Sequence, residues 1–416
     1  MDIVIQSGQR TGSVRVPSSK SQAHRALILA ALGSKPSSIL IDGISKDIEA
    51  TIACLNAIGA DIKVCEGRIL VTPVKRGCPG SRLLSCGESG STLRFMLPIV
   101  GALGVEAEFL PEGRLMERPL SPLDQCLRRH GMIIEKTSDR ILCSGRLSAG
   151  EYELPGDISS QYISGLIMAL SIIDGDSTLS VTGEVQSQNY IRMTEDAVLC
   201  SGMRFTKEGN TYKIPGGQTP KFPSEFSVEG DYSSASFFLC MGALSERGVT
   251  VLGLDPNSSQ GDKAVTDILS CFGAIISYSD DGITVKRGSL TGLTIDAAQI
   301  PDIIPPLCAV AAVAKGETKV INAGRLRIKE SDRLKTTDRM LTALGADVTE
   351  LQDGLVIKGK PELEGGKVDS SNDHRIAMSA AVAACRCSGS VTVMGSECVA
   401  KSYPRFWDDL TLLEMI

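Results

Sequence analysis

The sequence predicts an α/β (α+β) protein of six repeated units grouped in two domains. Two independent periodicities predict it. Glycines at positions 59, 131, 202, 273 and 345 each close a stretch with apolar residues at helical spacing, and they lie 72, 71, 71 and 72 residues apart. Six polar, turn-prone segments recur at the same period, and each runs into a strongly apolar stretch. Self-similarity at a fixed period marks an internal repeat. A length of 416 residues suits two or three domains, and six units of about 70 residues divide most naturally as two domains of three.

The six helix starts come first in each unit. They are Ser18-Ser19-Lys20-Ser21 through Arg25, Gly87–Arg94, Pro155–Gln161, Glu229–Ser234, Ile300–Pro306 and Ser370–Arg375. The runs that follow, such as Ile163–Ile173 and Ala377–Ala384, are apolar nearly all round, so these helices belong inside the domains. A second helix in each unit, for example Thr51–Ile58, ends at one of the periodic glycines, placed in the left-handed conformation past the helix end. The alternation Ala60-Asp61-Ile62-Lys63-Val64 reads as a half-buried strand. Turns at Glu66-Gly67, Asn210 and Asp353-Gly354 then reverse the chain into another strand.

Composition excludes several classes. A formal charge of −6 without a basic run argues against nucleic-acid binding. Thirteen cysteines without a CxxC pair, and three histidines, offer no zinc site and predict free thiols in a reducing compartment. No run reaches the roughly 18–20 apolar residues of a membrane span, and no N-terminal targeting signal stands out. A cytoplasmic protein without metal or cofactor is expected.

Cations collect at the helix starts. Lys20 and Arg25 occupy first turns where the macrodipole disfavours positive charge, which makes sense if an anion sits on the free N–H groups; a solvated helix start fits that stretch equally. Gly90 allows close backbone approach to a ligand, with Arg94 one turn on, and no Walker A loop is present. Ser159, Ser160 and Gln161 offer two hydroxyls and an amide, or plain capping. Asp302, between Pro301 and Ile303-Ile304-Pro305-Pro306, is either a perturbed carboxylate suited to general base work or an N-cap. Lys329 and Arg333, four apart, share a face if helical, and Ser331 and Asp332 are candidate caps. Arg114 and Arg118 lie on a charged loop, and His374, Arg375 and Lys401 complete the set. Buried helices in two facing domains would aim these residues at the cleft between them. Together Lys20, Arg25, Arg118, Lys329, Arg333, Arg375 and Lys401 suit ligands with several negative charges. With no nucleophile–histidine pair, the chemistry expected is group transfer by positioning and acid–base work.

Those motifs, with Glu117-Arg118-Pro119, Asn372-Asp373-His374-Arg375 and Ala400-Lys401-Ser402-Tyr403-Pro404, resemble the 5-enolpyruvylshikimate-3-phosphate synthase (3-phosphoshikimate 1-carboxyvinyltransferase) family over essentially the whole chain. The resemblance implies a two-domain inside-out α/β barrel of six βαβαββ repeats with buried parallel helices. Domain I would be 1–19 plus 228–416 and domain II 20–227, with the active site in the cleft. It implies transfer of the enolpyruvyl group from phosphoenolpyruvate to shikimate 3-phosphate through a tetrahedral intermediate. By matching position, Lys20, Gly90, Arg118, Gln161, Arg333, Arg375 and Lys401 would hold phosphoenolpyruvate. Lys20, Ser21, Arg25, Ser159, Ser160, Gln161, Ser187, Asp302 and Lys329 would hold shikimate 3-phosphate. Asp302 would accept the hydroxyl proton, and Glu330, with Lys20 nearby, would supply the donor proton. The implied partners are these two small molecules only, and the implied state is a monomer. Two positions depart from the family pattern. Glu88-Ser89-Gly90-Ser91 replaces Asn-Ala-Gly-Thr, and Arg325 replaces an asparagine. The sister UDP-N-acetylglucosamine enolpyruvyltransferases carry a cysteine in the donor loop, which 111–119 lacks. RNA 3′-terminal phosphate cyclases need a nucleophilic histidine near the C-terminus, and the last one here is His374.

Overall fold

The computed structural model describes residues 1–75 and 82–416. The chain divides into two compact units, Met1–Ser19 with Glu229–Ile416 and Lys20–Val228. Val228 belongs with the second unit rather than the first, because its N–H donates to the Leu40 carbonyl at 3.0 Å and extends that unit's sheet. Each unit has its own apolar core.

Twelve α-helices are described: α1 (Lys20–Ala31), α2 (Lys46–Ala57), α3 (Gly90–Leu103), α4 (Leu123–Arg129), α5 (Ser160–Leu170), α6 (Gln188–Cys200), α7 (Tyr232–Ala243), α8 (Ala264–Phe272), α9 (Ile304–Ala311), α10 (Arg333–Ala343), α11 (His374–Ala384) and α12 (Phe406–Thr411). The odd-numbered helices are the apolar ones, and they are buried over most or all of their length; every residue of α9 and α11 is buried. Even-numbered helices follow one-sided patterns, as in α8, where Val265, Thr266, Leu269 and Phe272 face the core. The periodic glycines end α2, α4, α6, α8 and α10 with φ of +105°, +102°, +72°, +104° and +85°, the left-handed conformation that closes a helix cheaply only with glycine.

Three sheets share one layout. Arg82–Gly87, Ala107–Pro111, Ile141–Gly145 and Met132–Lys136 lie side by side in that order. So do Glu151–Pro155, Ser177–Thr182, Thr211–Ile214 and Thr206–Glu208, and likewise Thr294–Asp296, Glu317–Ile321, Gly354–Lys358 and Asp347–Leu351. The first pair is parallel in each and the other pairings are antiparallel. A parallel pair needs a crossover, which α3, α5 and α9 supply, whereas a short turn suffices for the hairpin. Two strands are exchanged relative to sequence order. Arg10–Arg15 precedes α1 but pairs in parallel with Val249–Leu252 after α7, and Glu225–Ser227 precedes α7 but pairs with Ser37–Leu40 after α1. The exchange completes the sheets of both units although one unit is discontinuous. None of the six sheets closes on itself among the described residues, which corrects the expectation of a barrel at the level of hydrogen bonding. The last strand of each hairpin folds back beside the second strand, leaving the first and third strands as open edges.

Each odd-numbered helix follows the carboxyl end of a first strand, so the polar helix starts sit where backbone N–H groups are unspent. Among the described residues, no helix is long and apolar enough to cross a membrane. Twelve cysteines are described and all are free; Cys78 lies outside the described residues. The periodic glycines differ in surroundings. A Cβ on Gly59 would meet nothing nearer than Val74 Cγ1 at 3.8 Å, while one on Gly131 would come 2.5 Å from the Arg146 carbonyl oxygen. Gly59→Ala is therefore expected to cost about 1–2 kcal/mol from the left-handed backbone alone. Gly131→Ala is expected to cost at least about 1 kcal/mol more, since backbone must shift. Urea denaturation of the two variants checks this, and equal losses would show that the contact is relieved without cost.

Candidate active site

In the discontinuous unit the site is built on Arg333, the first residue of α10. Its side chain is 1 % exposed, and its guanidinium reaches three carboxylates. Nε donates to Asp373 Oδ2 at 2.9 Å, NH1 to Asp302 Oδ1 at 2.8 Å and NH2 to Glu330 Oε2 at 2.5 Å. Each carboxylate comes from a different place: the turn before α9, the loop before α10 and the N-cap of α11. Burial alone would weaken the charge of Arg333, but Asp373, Glu330 and Asp302 outweigh it and raise its pKa further.

Asp302 is also held by Arg375, whose NH2 lies 3.2 Å from Oδ2 and whose NH1 donates to the Asp302 carbonyl at 3.0 Å. Lys329 Nζ is 3.7 Å from Oδ1. Burial pushes the Asp302 carboxyl up, yet Arg375, Lys329 and Arg333 together hold it well below the usual carboxylate range. Its neighbour α9 begins with prolines and takes no side-chain cap from Ile303. Proline lacks the N–H that a cap would satisfy, so Asp302 is not an N-cap and its carboxylate serves the cations instead. Lys329 and Arg333 do not share a helix face, contrary to expectation. Lys329 ends the 3-10 turn Gly324–Ile328 in extended backbone, and the helix starts only at Arg333. They meet through Asp302. Asp332 caps α10 by accepting from Lys335 N, while Ser331 donates to Asp373 instead. Lys401, last residue of the 3-10 helix Ser396–Lys401, donates to the Asn372 carbonyl at 2.6 Å.

Burial separates the carboxylates by role. Asp373 is 0 % exposed, anchors Arg333 and Ser331, and caps α11 through Arg375 N. Asp302 and Glu330 are 19 % and 21 % exposed, so solvent reaches them and not Asp373.

The second unit carries its own cation set. Arg25 is buried, and its guanidinium donates to four neutral oxygens: Thr194 Oγ1 at 2.6 Å, Ser21 O at 2.6 Å, Tyr190 O at 2.7 Å and Ser164 Oγ at 3.4 Å. Burial lowers its pKa to about 10, opposed by Tyr190. Its face rests on Phe95, 5.1 Å from the ring centroid. Lys20, first residue of α1, pairs with Asp47 Oδ2 at 2.6 Å. Gly90 opens α3 behind its N-cap Ser89. A Cβ there would come 2.5 Å from Arg94 NH1 and 2.9 Å from Arg118 NH1, so a bare backbone is what lets both guanidiniums crowd this helix end. Arg94 NH1 donates to Gln161 Oε1 at 3.0 Å, and Gln161 Nε2 donates to Ser91 Oγ at 2.9 Å. The register is set below them: a Cβ on Gly165 of α5 would lie 2.7 Å from the Arg94 carbonyl oxygen on α3. Ser159 is the N-cap residue of α5 but makes no side-chain cap bond, so plain capping does not explain it. Ser160 is buried at the first helical position. Ser187 precedes α6 in the left-handed region, φ +54°, and makes no cap bond.

The 3-phosphoshikimate 1-carboxyvinyltransferase family model, described as EPSP synthase, matches residues 4–410. The chain belongs to the EPSP synthase family. Relatives named 3-phosphoshikimate 1-carboxyvinyltransferase from Clostridium kluyveri and Clostridium acetobutylicum are 40% and 42% identical, each alignment covering 97% of this chain and 95% of the relative. An EPSP synthase structure from Acinetobacter baumannii superposes with a TM-score of 0.82 at 26% identity, covering 100% of this chain and 99% of that one. An enolpyruvyl transferase from Streptomyces tendae, NikO, has a TM-score of 0.79 at 16% identity, which speaks to the fold alone.

Within this EPSP synthase family member, sequence reasoning left Asp47, Thr194, Ser164 and Asp373 without a role. Asp373 stood inside a quoted motif, and a carboxylate at a helix start equivalent to that of Asp231 was the available signal. Thr194 and Ser164 carried none, because their hydroxyls matter only once α6 and α5 are packed on Arg25. Replacing Asp373 by Asn would leave Arg333 buried with a weakened counter-charge, and breaking a buried pair typically costs about 3–5 kcal/mol. Asp302→Asn, at a carboxylate 19 % rather than 0 % exposed, is expected to cost less. Thermal and denaturant unfolding of both variants test that order; a larger loss for Asp302→Asn would reverse the assignment of anchor.

Proposed function

We propose that this chain is a 3-phosphoshikimate 1-carboxyvinyltransferase: it transfers the enolpyruvyl group of phosphoenolpyruvate to the 5-hydroxyl of shikimate 3-phosphate and releases phosphate, in the shikimate pathway to aromatic amino acids. The observation that carries the reading is the family match over nearly the whole length, and the chemistry of the two cation sets agrees with it. Phosphoenolpyruvate is assigned to Lys20, Gly90, Arg118, Gln161, Arg333, Arg375 and Lys401. Shikimate 3-phosphate is assigned to Lys20, Ser21, Arg25, Ser159, Ser160, Gln161, Ser187, Asp302 and Lys329. Six βαβαββ units in an inside-out arrangement, three per domain, and a cytoplasmic monomer without cofactor belong to the same reading, supported by the family resemblance.

The charge balance suggests how the chemistry is switched on. Lys329, Arg333 and Arg375 face Asp302, Glu330 and Asp373, so the named cluster is neutral without substrate. A donor carrying both carboxylate and phosphate competes for the arginines, and the exposed carboxylates are the ones that give way. Asp302 then loses the cations that depress its pKa and becomes a better base for the acceptor hydroxyl. Glu330, released from Arg333, loses the cation that keeps it ionised, takes up a proton from solvent and can pass it to the donor methylene, with Lys20 as the second candidate donor. Addition of the acceptor oxygen at C2 gives a tetrahedral intermediate bearing a methyl group; loss of one methyl proton to an acid–base group of the site then expels phosphate and restores the double bond.

Two measurements test this. Phosphate release should require phosphoenolpyruvate together with shikimate 3-phosphate, and Asp302→Asn should abolish turnover while largely preserving substrate binding; release with UDP-N-acetylglucosamine instead would replace the acceptor. The second is a pH profile. Lys329 is pushed down to about 8, by burial first and against the pull of Asp302. Below that pH the ammonium is present and binds an anion in full; above it the amine is neutral. The KM for shikimate 3-phosphate should therefore rise as pH climbs through about 8, and Lys329→Arg, charged throughout, should flatten that limb. An unaltered limb in the arginine variant would assign it to another group.

A further inference from the structure

A buried chain of four side chains in the second unit has no part in the scheme above. His24, on α1 one turn past Lys20, is fully buried, and its Nδ1 lies 2.7 Å from Thr51 Oγ1 on α2. Thr51 Oγ1 is 2.7 Å from Thr92 Oγ1 on α3. Thr92 Oγ1 is 2.7 Å from Ser89 Oγ and its N–H donates to the same oxygen at 3.2 Å. Thr51 and Thr92 are 0 % exposed and Ser89 is 1 %. Three helices are thus joined at one point, and the chain ends on the residue that caps the turn of Gly90.

The other ring nitrogen fixes the direction of the chain. His24 Nε2 is buried with no hydrogen-bond partner among the described residues, and the ring sits edge-on to Phe95 with centroids 6.3 Å apart. An orphaned buried N–H is rarer and costlier than an orphaned lone pair. The proton therefore sits on Nδ1, and His24 donates to Thr51, Thr51 to Thr92 and Thr92 to Ser89. Burial, helped by Lys20 and Arg25, holds the imidazole pKa well below its ordinary value, so the ring stays neutral and keeps this single donor. Thr92 also lies 3.4 Å from the Asp47 carbonyl, in the residue whose carboxylate holds Lys20.

We propose that His24 is a positioning residue for the donor subsite: through Thr51 and Thr92 it fixes the Ser89 hydroxyl and so the backbone at Gly90, against which the donor is bound. The proposal rests on the reading of Gly90 and Lys20 as donor-binding. An uncapped turn leaves the Gly90 and Ser91 amides free to fray, and a ligand must then order them at the expense of affinity.

The test compares His24→Asn, whose amide places a donor at the Nδ1 position, with His24→Gln, whose amide reaches the Nε2 position, and with His24→Leu, which has none. Thr51→Val, nearly isosteric, cuts the chain without touching the ring. Expected are a rise of about tenfold in the KM for phosphoenolpyruvate in the Leu, Gln and Val variants, with kcat and the KM for shikimate 3-phosphate within about twofold, and rescue to within about threefold in the Asn variant. Hydrogen exchange of the segment 86–93 in the ligand-free proteins should quicken in the same three variants and not in Asn. An Asn variant as impaired as Leu, or equal KM changes for both substrates, overturns the proposal. So does a quickened exchange with unchanged kinetics, which also removes Gly90 from the donor subsite. Wild-type protein that releases no phosphate from the two substrates refutes the function instead, and the exchange data then decide alone whether His24 holds the turn.

Discussion

Arg333 cannot sit in the interior of this fold alone. A guanidinium taken out of water costs several kcal/mol unless opposite charge meets it in good geometry. Here the geometry comes from three separate elements, each delivering one carboxylate. The N-cap of α11, the turn before α9 and the loop before α10 are thereby fixed relative to one another by a single side chain. The packing of α9, α10 and α11 on one another and the ion cluster specify the same arrangement, one through apolar contact and the other through charge.

The second unit solves the same problem differently. Arg25 is buried with hydroxyl and carbonyl partners, which orient the guanidinium without an ion pair among the described residues, and burial lowers its pKa. In the Arg333 cluster carboxylates already meet the cations, whereas the described partners of Arg25 are neutral. A ligand bearing phosphate gains more where no carboxylate has to be moved, because the desolvation of the cation has already occurred on folding. That contrast is consistent with the proposed assignment of Arg25 to the acceptor and of Arg333 and Arg375 to the donor.

The repeat was readable because its signals are local. A glycine past a helix end, an alternating strand and an all-apolar helix each follow from a few neighbouring residues, and the structure places all five periodic glycines at positive φ. The exchanged strands were not readable, since Arg10–Arg15 and Glu225–Ser227 look alike as short extended segments and only long-range pairing decides which sheet takes which. The site followed the same rule. Cations at helix starts were visible as violations of the macrodipole preference, and the motif order identified their family. Which carboxylate each cation meets was not visible. Lys329 and Arg333 suggested a shared helix face by spacing, but the chain is extended at Lys329 and they converge on a residue about 30 positions earlier. His24 was passed over because nothing in its neighbours distinguishes a satisfied core histidine from one whose hydrogen bond continues to Ser89.

Backbone strain points to the same places. Among the described residues the non-glycine positions at positive φ are Ser187, Asn322, Ser371 and Asn372. This chain has 42 glycines and uses them freely wherever a turn needs that conformation, so a side chain kept there, at roughly 1 kcal/mol or more, needs a reason. Asn372 turns its carbonyl to Lys401, and the N–H of Ser371 is held by Asp369. Asn322 donates to Asp296 at the entry to the segment that carries Arg325 and Lys329. Ser187 immediately precedes α6, which supplies Thr194 to Arg25. Glycine would relieve each strain, but it would also widen the range of conformations that the unliganded loop can visit. The strained residues narrow the conformations open to the loops that carry the cations.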